Sequence, residues 1–392
     1  MGVLAGAALA GAAPAGAVEA GGRIAPGVTY RQFDIEASAG KAHAHLLTVD
    51  LANPHVRVDL LHPGAVAARE TVSGMADSAG AVAGVNGDFF NITETQHPGV
   101  QATGASVGPA IADGQVLKAA VPQGQRFGPA LPPGTSTQDV FGVGTDRRAR
   151  LDRLSLAGGV RTPEGTIPLK GLNQYALPEN SVGAFTSRWG SASRMRSVCG
   201  TDTQRSAPCS TDTYEVTVRG GRVVSAAGTP GSGAIPADTT VLVGREEGAR
   251  QLRKLAVGAS VTVTHRLVAA SSGTPYACAI GGFPVLRNGQ VLTGLDNGTA
   301  AVRTVVGFKG GGRQLLIMAL DGAEVYRAGI TVEEEAGTMR ALGASDAFNL
   351  DGGGSTELVT RDAGASTVTV RNHPSAGAER PVANGVGVFT TP

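Results

Sequence analysis

Residues 315–355, reading LLIMALDGAEVYRAGITVEEEAGTMRALGASDAFNLDGGGS, constrain the fold more than any other stretch. The run 315–320 is continuously apolar and stops at Asp321-Gly322, the pattern of a short strand buried on both faces. Thr331 has the character of a helix N-cap, and Glu334, three residues on, completes a capping box. Val332, Ala336, Met339 and Leu342 follow at helical spacing, and Gly343 fits just past the C-terminus. A second short strand, 347–350, runs into Asp351-Gly352-Gly353-Gly354-Ser355. Strand, helix and strand with this length of crossover predict parallel pairing through a right-handed connection. The expected fold class is therefore α+β: a mixed β-sheet core with flanking helices, including a parallel β-α-β unit at 315–350. Asp321 and Asp351 would then stand side by side at the carboxyl ends of neighbouring strands, the edge where ligands bind such sheets. A lone Asp-Gly often does no more than turn the chain. Two at matching strand ends, one leading into a run of glycines, favour a site.

The rest of the chain narrows the partners. Its 392 residues carry a formal net charge of +1, which gives no electrostatic case for nucleic acid or an anionic membrane. With 42% hydrophobic residues and 58 glycines it reads as a folded chain with many turns. The start, MGVLAGAALAGAAPAGAVEA, is apolar and lacks a basic leader region. We expect 1–20 to be the remnant of a secretory signal or a disordered tail, too short in its apolar part to span a bilayer. No other stretch is apolar enough for a membrane span. Cys199 and Cys209 flank a polar loop that a disulfide would close in an exported protein, leaving Cys278 as a buried thiol. His265, in an alternating strand, has no second ligand at metal spacing and reads as structural.

Further along, an apolar strand at 81–85 empties into Asn86-Gly87-Asp88-Phe89-Phe90. This segment and the 315–355 stretch resemble the phosphodiester glycosidase family. The shared pieces are an NGGFF-like N-terminal signature at Asn86, DG at Asp321-Gly322 and G-x-T-x-x-E at 329–334. NLDGGGS at 349–355, an R-T block at Arg303-Thr304, and N-x-P-S with R-x-V-A-N at 372–384 complete the set. Asp88 stands where the family has glycine, and Val302 where a proline usually precedes the arginine. The resemblance runs over about 44–390. It implies a catalytic domain over 28–392, with 120–275 a β-rich insertion or subdomain.

The resemblance also implies a substrate, a sugar-1-phosphate diester, and its chemistry selects residues. The anionic diester calls for arginines and backbone N–H groups, which Arg303, Arg380 and the backbone of Gly352 and Gly353 supply. The anomeric carbon gains positive character as its bond breaks and calls for carboxylates, with Asp321, Asp351 and Glu334 as candidates. Asn86, Thr304, Gly322, Asn349 and Ser355 complete the expected binding set. The capping box offers a purely structural reading of Glu334. No cofactor is expected. The alternative is a divalent cation held by Asp321 and Asp351. An uncharged cell-wall or capsular polysaccharide is the alternative substrate. A non-catalytic carbohydrate-binding module is the alternative class, disfavoured by 4% aromatic residues and a single tryptophan, Trp189.

Overall fold

The computed structural model describes residues 19–391, so the apolar start at 1–18 lies outside the described residues. The expected α+β class is wrong. The described chain is mostly β, built from three sheets, with α-helices only at Val72–Ala79, Glu247–Leu252 and Val332–Ala341. Every pairing in the central eight-stranded sheet is antiparallel.

The 315–350 unit shows why the parallel expectation fails. Its strands form as Gln314–Leu320 and Asp346–Asn349 and do run in the same direction, but they are not neighbours. The strand Thr304–Lys309 lies between them, antiparallel to both. A crossover that skips one strand position leaves a slot, and the preceding segment of chain fills it.

The helix Val332–Ala341 obeys its sequence closely. Thr331 accepts from the Glu334 amide and Glu334 answers the Thr331 amide, so both halves of the capping box are made. Val332, Ala336 and Met339 pack with Leu316, Met318 and Leu320 on one face of the central sheet. The alternate residues Leu315, Ile317 and Ala319 meet Val58, Val85 and Val386 of a second, five-stranded sheet on the other face. Burial on both faces explains the unbroken apolar run; each such side chain contributes about 1.5–3 kcal/mol. Gly307 is required where the helix docks, because a Cβ there would meet Met339 Cε at 2.6 Å and the Asp346 carbonyl at 2.8 Å.

The third sheet has eleven strands, among them Ala149–Thr162, Thr213–Arg219 and Thr239–Arg245. Part of it encloses its own core around Val160, Leu169, Val216 and Leu242. Among the described residues, no helix is long and apolar enough to cross a membrane.

Candidate active site

Because Thr304–Lys309 runs opposite to its neighbours, its amino end meets the carboxyl ends of Gln314–Leu320 and Asp346–Asn349 at one sheet edge. Arg303, Asp321 and Asp351 are therefore gathered there. The two aspartates are not side by side, since a strand separates them by two inter-strand spacings, about 10 Å. They also sit in different surroundings.

Asp321 is buried and saturated with donors. Its Oδ1 accepts from the Ala323 amide at 2.7 Å. Its Oδ2 meets His45 Nε2 at 3.1 Å, the His373 amide at 3.2 Å and His373 Nδ1 at 2.9 Å. Burial alone would raise its pKa, but the hydrogen bonds from His45, His373 and the Ala323 amide overcome it and hold the carboxyl well below the usual range. His45 is buried on the strand Gly40–Asp50, and desolvation lowers its pKa, which favours the neutral ring. Its Nδ1 lies 2.6 Å from the Tyr30 hydroxyl, which in turn accepts from Gln32 Nε2 at 2.7 Å. Gly322 has no room for a side chain, since a Cβ would meet the His373 carbonyl and the Ser375 amide, each at 2.5 Å. That close approach, with Gly322 N donating to the His373 carbonyl at 2.8 Å, lays the 373–375 segment over Asp321.

Asp351 is half-buried and has fewer partners. The Gly352 amide donates to its Oδ1 at 2.9 Å. Desolvation pushes its carboxyl up to about 6, against the pull of Ser355, the Gly352 amide and Arg380 and with a push from Asp88. Arg380 reaches Ser355 Oγ at 3.3 Å. Arg126, on a Pro- and Gly-rich segment at 119–134, stands over the Phe89 ring and feels the charges of both Asp88 and Asp351. Its buried Nε has no hydrogen-bond partner.

The remaining expected residues are brought to this edge mainly as scaffolding. Asn86 is wholly buried; its Nδ2 donates to the Asp351 carbonyl at 2.7 Å, and its Oδ1 accepts from Thr304 Oγ1 at 2.7 Å and the Glu357 amide at 3.1 Å. Asn349 Nδ2 donates to the Leu350 carbonyl at 2.9 Å, while its buried Oδ1 is unpartnered. The Gly352 and Gly353 amides are engaged within the protein, the latter on the Val302 carbonyl at 2.8 Å. Arg303 Nε donates to the Ile330 carbonyl at 3.1 Å and its Nη2 to that of Thr299 at 2.7 Å. Glu334 places one oxygen on the Thr331 amide at 2.8 Å and the other on the Ser38 amide at 2.6 Å.

Sequence reasoning missed His45, His373 and Arg126. His373 lies inside the N-x-P-S block at 372–375, but nothing in one sequence couples it to Asp321. A cation shared by Asp321 and Asp351 does not fit this geometry, because a strand parts them and donors already surround Asp321. Among the described residues, the metal-capable side chains that converge are His97, Cys199 and Cys209, and the two cysteines are bonded to each other. Cys278 is a buried free thiol.

Fold and site together define a mostly β protein with acids, imidazoles and arginines collected at one sheet edge. Residues 212–389 match the model of the phosphodiester glycosidase family. The matched span holds Arg303, Asp321, Glu334, Asp351 and Arg380; Asn86 and His45 lie outside it. A hypothetical protein from Synechocystis shares the fold with a TM-score of 0.70 at 20% identity, over 93% of this chain and 62% of that one. The chain thus spans under two thirds of that relative's length. A candidate exported protein of Burkholderia pseudomallei K96243 aligns with a TM-score of 0.66 at 22% identity, over 89% of this chain and 74% of that one. The zebrafish N-acetylglucosamine-1-phosphodiester alpha-N-acetylglucosaminidase catalytic domain, auto-inhibited by its pro-peptide, overlaps loosely. Its TM-score is 0.45 at 16% identity, over 94% of this chain and 85% of that one, and it adds nothing to the fold assignment. No curated protein matches the chain.

Proposed function

We propose that this protein is an exported hydrolase that cleaves a sugar-1-phosphate diester at its glycosidic bond. The family of residues 212–389 supports glycosidase chemistry, and the carrying observation is the surroundings of Asp351. A half-buried carboxyl pushed up to about 6 sits with Ser355 and Arg380 and within the field of Arg126, whose buried Nε is unpaired. Arginines suit the anionic diester and the charge that grows on the departing phosphate. The ionised Asp351 suits the anomeric carbon as it turns positive. Asp321, ringed by donors, serves as a fixed anion. The Cys199–Cys209 disulfide suits an oxidising compartment and so supports export.

The test is sugar release from a panel of N-acetylglucosamine-1-phosphodiesters and other glycosyl phosphodiesters, set beside matched neutral glycosides. Preferential cleavage of the diesters is expected. Cleavage of the neutral glycosides alone would transfer the site to an uncharged polysaccharide, and binding without turnover would make it a carbohydrate-binding module.

A further inference from the structure

The Asp321 neighbourhood contains a second titratable group, His373. His373 is anchored at one nitrogen and open at the other. Its Nδ1 lies 2.9 Å from Asp321 Oδ2, and its own backbone amide donates to the same oxygen at 3.2 Å. Its side chain is nevertheless 75% exposed, while that of Asp321 is 4% exposed. A buried anion holding Nδ1 favours the tautomer with hydrogen on Nδ1 and leaves the Nε2 lone pair facing outward.

Two features show that the arrangement is built. The carboxylate is gripped from behind by His45, itself backed by Tyr30, so it cannot swing away from His373. The loop is fixed on its other side by Asn372, whose Nδ2 donates to the Leu320 carbonyl at 3.3 Å and the Thr356 carbonyl at 3.0 Å. Those two carbonyls belong to the segments carrying Asp321 and Asp351, so His373 is held at the junction of the two halves of the edge. Pro374 after it restricts His373 to extended backbone.

We propose that His373 is the general base of the hydrolysis, acting through Nε2, with Asp321 and His45 as its positioning residues. The proposal rests on the glycosyl phosphodiester reading. Nε2 takes a proton from water as the water oxygen bonds to the anomeric carbon. The bond from that carbon to the phosphate oxygen breaks with its electron pair, giving free sugar and a phosphate monoester. The imidazolium then returns its proton to solvent.

The experiment is His373→Ala in the full chain, assayed on the diester panel with and without added imidazole, together with nitrogen-15 NMR of the histidine rings. The alanine retains the backbone amide on Asp321, so folding and melting temperature should hold. We expect turnover to fall by about 10²–10⁴-fold, imidazole to restore part of it, and the His373 ring to show the Nδ1–H tautomer. Activity retained to within about threefold, or a loss that imidazole does not repair, overturns the base assignment alone. An Nε2–H tautomer in the resting protein overturns it as well, whatever the activity. Absence of hydrolysis by the unaltered protein overturns the functional reading and takes the base role with it.

Discussion

Glu334 and Ser38 lie 296 residues apart in sequence, yet Glu334 Oε1 accepts the Ser38 amide at 2.6 Å while Oε2 accepts the Thr331 amide. Both oxygens of this carboxylate are thus tied to backbone, one closing the capping box and the other pinning the turn between Val28–Ala37 and Gly40–Asp50. A glutamine offers one oxygen where the glutamate offers two, and it still serves in a capping box. Glu334→Gln should therefore keep most turnover with a small drop in melting temperature. Glu334→Ala should lose roughly 0.5–2 kcal/mol of stability. Turnover lost in Glu334→Gln at an unchanged melting temperature would make the residue catalytic.

Asp351 predicts opposite pH effects on activity and stability. Its carboxyl is raised from an ordinary 3.8 to about 6 by desolvation, so the folded protein holds a proton that the unfolded chain has already released. Between those two values stability falls as pH rises, because the native state binds more protons. Asp351→Asn should accordingly melt higher than the parent at pH 8, with the difference closing by about pH 4. Activity goes the other way: kcat/KM should climb through about pH 6 as the carboxylate forms, and Asp351→Asn should lose most of it. A pH profile flat across that range would remove Asp351 from the chemistry.

Much of this was readable from the chain because it is local. The capping box, the apolar strand at 315–320 and the Asp-Gly ends depend on residues a few positions apart, and each formed as its pattern requires. The sheet order was not readable, because apolar runs buried on both faces look alike in parallel and antiparallel sheets. Nothing in 315–350 announces that Thr304–Lys309 will lie inside the unit. The Asp321 cluster was hidden for a related reason. His45 and His373 reach Asp321 from 276 and 52 residues away, across pairings that only the folded sheet creates. Arg126 came from a segment whose Pro and Gly content gives no period to read.

The Cys199–Cys209 bond predicts a redox dependence. It closes a separation of 10 residues beside a buried network in which Arg196 Nε donates to Glu94 Oε2 at 2.7 Å and His97 Nε2 contacts the Ala207 carbonyl at 2.8 Å. For a loop of this size the chain-entropy account gives about 2–3 kcal/mol. Reduction, or the paired Cys199→Ser and Cys209→Ser change, should lower the melting temperature by several degrees, as calorimetry would record. An unchanged melting temperature after verified reduction would show the bond to be energetically idle.

Arg303 pulls on the buried carboxyl of Glu335. Glu335 is wholly buried on the helix, both its oxygens lack hydrogen-bond partners, and desolvation raises its carboxyl to about 8 against the pull of Arg303. Arg303 is itself engaged on the Ile330 and Thr299 carbonyls, which makes it a strut between the helix entry and the site edge. A lysine cannot span both carbonyls with the geometry of a planar guanidinium, so Arg303→Lys should cost about 1–3 kcal/mol of stability. As a strut, it should reduce turnover on charged and neutral substrates alike; a loss confined to phosphodiesters would place its guanidinium on the substrate. Glu335→Leu removes a buried, unpaired polar group at similar volume and should stabilise by about 1–3 kcal/mol. The gain has a definite pH sign. The folded state keeps the Glu335 proton up to about 8 while the unfolded chain loses it near the ordinary 4.5, so parent stability declines as pH rises through that window. Melting curves of the two proteins should therefore lie closest below pH 5 and separate progressively toward pH 8. Curves that keep a constant gap across this range would mean that Glu335 does not hold its proton in the folded protein.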